Sequence, residues 1–357
     1  MFRDSKDLSD VLQKLPKASE AWRGMASNRQ KILTKPPGSL GRLEDLAVFM
    51  AGWGHQPPPA CQNMTCVVFA GNHGVTYQAI SPYPASVTSE MVKNFEKGGA
   101  AINALAAAHN IRLDVKAIHL DVPTGDISMV PAMTESEVLS AMYAGSSMIV
   151  DNLDLLIVGE MGIGNSTIAA ALCAATFGGM GKDWVGPGTG LDAVGVANKA
   201  DVVDRALARM RQAIGIPATT IGQPAASRSA LDVMAQIGGR ETCAIAGAVL
   251  TARVKRIPVM LDGFITTAAV APLFAENPDV VDHLLSGHVS AEPAHARLLA
   301  RLGLTPILDL GMRLGEGTGG VLAAGVVRAA VNAHNTMATF DEAGVSTPPS
   351  ATGDASA

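Results

Sequence analysis

The feature that most constrains this chain is a change of pattern at residue 64. There, amphipathic helical spacing gives way to short, almost wholly apolar runs separated by long Ala-rich stretches. Residues 64–71, 112–120, 153–159 and 257–261 carry the β-branched and apolar residues of strands, and the segments between them are long enough for helices. A run such as Leu155-Leu156-Ile157-Val158 has no polar side, so both of its faces must be covered. That predicts an α/β fold with a mostly parallel sheet between two layers of helix, not a half-solvated antiparallel sheet. In such sheets ligands gather beyond the carboxyl ends of the strands, so the turns after the strands are where chemistry is expected.

The two ends of the chain read differently. Over residues 7–33 the apolar positions Leu8, Val11, Leu12, Leu15, Trp22 and Met25 follow helical spacing, which predicts one or two amphipathic helices. Lys35-Pro36-Pro37-Gly38-Ser39-Leu40-Gly41 stops them, because two prolines and two glycines fix a stiff turn, and helical spacing resumes over 42–52. Near the other end we expect a helix over 291–302, N-capped by Ser290, and another over 319–334. Residues 1–60 and 287–346 are thus expected to form a small helical domain beside a large α/β domain over 61–286. Residues 347–357 have nothing to bury and are expected to be disordered.

Composition narrows the function classes. The 27 basic residues are outnumbered by 32 acidic ones and form no stripe that could track a phosphate backbone, which disfavours nucleic acid. Cys61, Cys66, Cys173 and Cys243 are scattered and read as small buried hydrophobes, not as a disulfide framework. The charged start has no signal-peptide core, and no uncharged run reaches the ~18 residues of a membrane span, so a cytoplasmic protein is expected.

Five blocks could carry chemistry. Gly159-Glu160-Met161-Gly162-Ile163-Gly164-Asn165-Ser166-Thr167 joins a strand to a helical run and suits an anion at a helix N-terminus. It lacks the lysine of a Walker loop and the third glycine of the dinucleotide fingerprint, and a plain tight turn capped by Ser166 or Thr167 explains it equally well. In Arg313-Leu314-Gly315-Glu316-Gly317-Thr318-Gly319-Gly320 a carboxylate between glycines is open to a flat ligand, and a dry pocket would raise its pKa towards that of a general base. Taken alone, an acid placed near a helix N-terminus is the weightier account of that block. Asn72 and His73 end the first core strand, where His73 is more readily a structural hydrogen-bonder than a proton carrier; no second His or Cys stands at metal spacing. Gly186-Pro187-Gly188-Thr189-Gly190 with Lys199, and Asp262-Gly263 after a strand, are weaker signals.

Together and in order, these blocks resemble the nicotinate-nucleotide:dimethylbenzimidazole phosphoribosyltransferase family of cobamide biosynthesis. The likeness runs from the 35–41 block through Gly71-Asn72-His73-Gly74, Tyr83-Pro84-Ala85-Ser86-Val87-Thr88, the 159–165 and 188–192 blocks, Gln236-Ile237-Gly238-Gly239 and Asp262-Gly263-Phe264, to Gly287-His288-Val289-Ser290-Ala291-Glu292-Pro293 and Arg313-Leu314-Gly315-Glu316. It implies a doubly wound, Rossmann-like large domain, a small helical domain from both chain ends, and a homodimer. The implied substrates are nicotinate mononucleotide and a benzimidazole-type base, with no cofactor and no metal. The implied roles are Glu316 as general base, Glu160 as second carboxylate, Gly162, Gly164, Asn165 and Ser166 as phosphate and ribose cradle, Lys199 and Ser290 as further nucleotide contacts, and Tyr83, Pro84, Met91 and Leu314 as base pocket. Two departures stand out. Asn72 replaces the aspartate of many members, and Tyr83 and Met91 replace the Ser and Gln of some. The alternatives are a non-catalytic nucleotide sensor of the same fold and a Rossmann dehydrogenase, which would need a fuller fingerprint.

Overall fold

The computed structural model describes residues 4–346 except 216, 218, 219, 221 and 226–228; the tail at 347–357 lies outside the described residues. Six strands form one sheet: β1 (Met64–Ala70), β2 (Arg112–Ala117), β3 (Leu155–Met161), β4 (Val259–Leu261), β5 (Leu284–His288) and β6 (Pro306–Leu308). Their order is 2-1-3-4-5-6 and every pairing is parallel, so the winding reverses between β1 and β3. This is the doubly wound α/β architecture expected from the sequence.

The buried strands explain how the core divides. In β1, Val67 and Phe69 join one apolar layer, while Cys66, Val68 and Ala70 join the other; in β3, Leu156 and Val158 oppose Leu155 and Ile157 in the same way. Period-2 alternation within an all-apolar run therefore feeds two cores, one under each layer of helices. Behind the sheet the helix Arg240–Val254, buried through Arg253, runs against Glu135–Ser146 at backbone contact.

The boundaries moved in instructive places. β3 runs two residues past the expected end because Glu160 pairs with Phe69 and Met161 with Ala70; the ladder is made by backbone groups, and hydropathy does not see them. β2 stops at Ala117, short of the expected residue 120. Neither β5 nor β6 was foreseen; β6 is a three-residue edge strand that starts on proline, a residue tolerated only where no ladder donor is needed. The helix after β5 is Pro293–Leu302 with Glu292, not Ser290, at the N-cap. Pro293 presets its first turn, and the Ser290 hydroxyl instead accepts the Glu292 N–H at 3.3 Å.

The chain ends meet. The Arg29 guanidinium, on the helix Glu20–Ile32, donates to the carbonyls of His334, Asn335 and Met337 at 2.9–3.2 Å, satisfying the open end of the helix Thr318–Thr336. Thr318–Thr336 packs on the helix Arg42–Trp53 on one side and on β3 and β5 on the other. The sheet itself continues through β5 and β6, across the boundary expected at residue 287.

Candidate active site

A cleft opens at the carboxyl ends of β3, β4 and β5, between the turn after β3 and the loop that precedes Thr318–Thr336; Glu160, Gly162, Asn165, Ser166, Ser290, Leu314 and Glu316 all line it. Its first wall is the turn Gly162-Ile163-Gly164. A side chain at Gly162 would place its Cβ 2.6 Å from the Gly71 carbonyl oxygen, so the turn after β3 can lie this close to the turn after β1 only as glycine. Gly164, at φ 94°, is the N-cap of the helix Asn165–Phe177. No side chain caps that helix, which leaves the positive end of its dipole facing the cleft. The sequence allowed Ser166 to serve as a cap. Its hydroxyl instead accepts from Lys199 Nζ at 2.8 Å. Lys199, on the helix Ala193–Ala213, also donates to the Gly186 carbonyl at 3.2 Å and is only 1% exposed. Burial pushes its ammonium down to about 8, against the pull of Glu292.

The opposite wall holds Glu316, facing Glu160 at the end of β3. Gly315, Glu316 and Gly317 have φ of 81°, 64° and 87°, three successive left-handed residues. For a residue with a Cβ this conformation costs roughly 1–2 kcal/mol and persists only where the surroundings enforce it. Here the surroundings are closely fitted: a Cβ at Gly159 would lie 2.6 Å from the Gly317 nitrogen and 2.8 Å from the Glu316 carbonyl oxygen. The Thr318 hydroxyl donates to the Gly315 carbonyl at 2.8 Å, and Asp262 accepts the Gly317 N–H at 3.0 Å and the Gly320 N–H at 2.8 Å. Burial, then the charge of Asp262, raises the Glu316 carboxyl to about 7. Burial and Asp262 likewise raise Glu160 to about 8, opposed by the amide of Asn165, which donates to Glu160 Oε2.

The base-pocket candidates are distributed unevenly. Leu314 lines the cleft, whereas Tyr83, Pro84 and Met91 do not. Tyr83 is half exposed, and its loop reaches the cleft rim through Ser81 Oγ, 3.2 Å from Thr189 Oγ1. Met91, on the helix Ser86–Glu96, packs against the apolar layer under β1. His73 does not line the cleft; it is fully buried behind Gly162 with Nε2 3.0 Å from Glu241 Oε1, and Asn72 donates its amide to the Leu120 carbonyl at 2.8 Å. The site thus lies one strand away from the winding reversal, on the β3–β5 side.

Sequence reasoning passed over two residues that the fold brings to this place, His288 and Glu292, and gave Asp262 only a weak signal as a carboxylate at a strand end. His288 ends β5 and lines the cleft, with Nε2 3.8 Å from Asp262 Oδ1 and neither ring nitrogen hydrogen-bonded among the described residues. Glu292 lines it as well. For His288 the signal was position: like Asp262, it stands at the carboxyl end of a strand.

Comparison with known proteins agrees with this geometry. A family model described as phosphoribosyltransferase matches residues 15–345. The chain is 53% identical to a nicotinate-nucleotide–dimethylbenzimidazole phosphoribosyltransferase of Novosphingobium aromaticivorans, over 94% of this chain and 95% of that one. It is 51% identical to the protein of the same name from Ruegeria pomeroyi, over 96% and 98%. Among solved structures, an enzyme of that name from Thermus thermophilus superposes with a TM-score of 0.83 at 38% identity, covering 92% of this chain and all of the other.

Proposed function

Because the chain belongs to the nicotinate-nucleotide–dimethylbenzimidazole phosphoribosyltransferases, we propose that its cleft anchors the nucleotide between the glycine turn and Lys199 and that Glu316 takes up the proton released by the incoming base. The protein is an enzyme of cobalamin biosynthesis. It transfers the phosphoribosyl group of nicotinate mononucleotide to 5,6-dimethylbenzimidazole or a related base, giving α-ribazole 5'-phosphate and nicotinate.

The chemistry follows from the charges of the reactants. The leaving group is a pyridinium at the anomeric carbon; it departs with the bonding electron pair as a neutral ring nitrogen and needs no proton. The imine nitrogen of the base forms the new C–N bond from the opposite face, converting β to α. The benzimidazolium so formed is acidic at its other nitrogen, and that N–H proton passes to Glu316. A carboxyl held near 7 suits the task, since a base is most useful when its pKa lies close to the working pH. Asn165 and Ser166 are assigned to ribose and phosphate with the open helix end, Gly162 and Gly164 supply close backbone, and Ser290 completes the nucleotide contacts. Glu160 is assigned as the second carboxylate, oriented by Asn165. Positioning two rings in one cleft is worth on the order of 7–11 kcal/mol, and a general base adds about 10²- to 10⁴-fold.

The observation that carries this reading is the placing of a strained, elevated-pKa carboxylate across one cleft from an uncapped helix N-terminus and a buried lysine. Incubating the protein with nicotinate mononucleotide and dimethylbenzimidazole should release nicotinate and the α-riboside phosphate in equal amounts, and nicotinate mononucleotide alone should release none. No release at all would favour the sensor reading.

Three further parts of the proposal concern assembly. Tyr83, Pro84 and Met91 are assigned to the base pocket with Leu314, and the exposure of Tyr83 and Leu314 supports a homodimer whose association closes that pocket. The end helices, from 1–60 and 287–346, are assigned to a small domain beside 61–286, supported by the contacts of Arg29 with the far end of the chain. A cytoplasmic setting is consistent with the fact that no described helix is long and apolar enough to cross a membrane.

A further inference from the structure

We propose that Asp262, set against His288, is the positioning residue that clamps the Glu316 loop in its left-handed form and keeps the Glu316 carboxyl poised as a base. The inference rests on the reading of Glu316 as the base. Asp262 is fully buried at the end of β4, and both of its oxygens are used: Oδ2 accepts the Gly317 N–H and Oδ1 the Gly320 N–H. One side chain from the centre of the sheet therefore caps the helix Thr318–Thr336 in place of a local residue and fixes the backbone on the far side of Glu316. Gly159 and Gly287 give the loop its seat. A Cβ at Gly287 would come 2.8 Å from the Gly320 Cα, so nothing but hydrogen lies between strand and the first turn of the helix there.

The charge that Asp262 brings is only loosely met. His288 stands at 3.8 Å with no hydrogen-bond partner of its own among the described residues. The other ionisable groups around the Glu316 carboxyl are Glu160 at the end of β3, Glu292 and Arg313 on the loops lining the cleft, and Lys199 behind Ser166. Beside these, Asp262 is the group whose negative charge, after burial, holds the Glu316 proton most firmly.

The test compares wild type, Glu316→Gln and Asp262→Asn by the pH dependence of kcat and by KM for nicotinate mononucleotide. Asparagine has the size of aspartate but offers one acceptor where two are used. We expect kcat to fall about 10²-fold, as for a reacting group displaced by an ångström, with the nucleotide KM unchanged. The acid limb of the surviving activity should move to lower pH, because the anion that held the proton on Glu316 is gone. A lower kcat with an unmoved acid limb, or an unchanged kcat, overturns the proposal. If Glu316→Gln itself keeps normal turnover, the base reading fails instead. Should Asp262→Asn not fold, ¹⁵N-glycine-labelled wild type decides the matter: the Gly317 and Gly320 amides should exchange slowly, and fast exchange of both overturns the clamp.

Discussion

Replacing Glu316 by glutamine should make this enzyme nearly inactive and, above neutral pH, more stable. The carboxyl is raised from its ordinary 4.5 to about 7 by burial and by Asp262. The folded protein therefore holds a proton that the unfolded chain has released between those two values. Stability from this group is full below 4.5, declines as pH rises towards 7, and is level beyond. At 1.36 kcal/mol per pH unit the whole interval corresponds to about 3.4 kcal/mol; the carboxyl faces an open cleft, and solvent screening leaves about 1–2 kcal/mol. Glutamine has the same shape and bears the same left-handed backbone cost, so the difference between the proteins isolates the charge. Urea unfolding at pH 8 should favour Glu316→Gln by about 1–2 kcal/mol, with the gap closing towards pH 5, while kcat falls about 10²- to 10⁴-fold. A stability gain that does not depend on pH, or a kcat close to wild type, would refute the reasoning.

Other expectations follow from the same geometry. Turnover of the wild type should rise with pH through about 7 as Glu316 ionises, which a profile from pH 5.5 to 8.5 would show; a flat acid side would contradict it. Lys199→Met should raise the KM for nicotinate mononucleotide by about 10- to 100-fold, the loss of one charge-assisted hydrogen bond, with little change in the KM for the base; equal effects on both would speak against a nucleotide contact. Gly162→Ala must push a Cβ against the Gly71 carbonyl, and we expect a loss of about 1–3 kcal/mol in denaturant unfolding; unaltered stability would show that the β1 and β3 turns are not locked together.

The central strands were legible because they are apolar on both sides, and a run of that kind is satisfied only between two covering layers. The weaker edge was not: Pro306-Ile307-Leu308 is too short to stand out, and its partner Leu284–His288 ends in Ser-Gly-His, which reads as a turn. Glu160 and Glu316 were visible as acids among glycines, but the role of Glu316 came from family resemblance, since an acid near a helix N-terminus was the better account of that block by itself. Asp262 was visible as a carboxylate at a strand end, but what it holds could not be read from its surroundings. The amides it holds are 55 and 58 residues away, and only the closed sheet brings them to it. Ser290 was placed too early as a cap for the same kind of reason: Pro293 decides where the helix begins, and the serine is left to the approach segment.

The alternation of β1 and β3 makes the sheet a bulkhead between two separately filled compartments. Phe69 and Val68 are neighbours along the chain, yet they press on different sets of atoms, while Val68 and Ile157 share one set. Because energetic coupling between substitutions travels through shared contacts, changes at 68 and 69 should sum independently and changes at 68 and 157 should not. The proposed site spans the rim of that bulkhead, so packing can be retuned on one side while the groups assigned to the chemistry keep their support from the other.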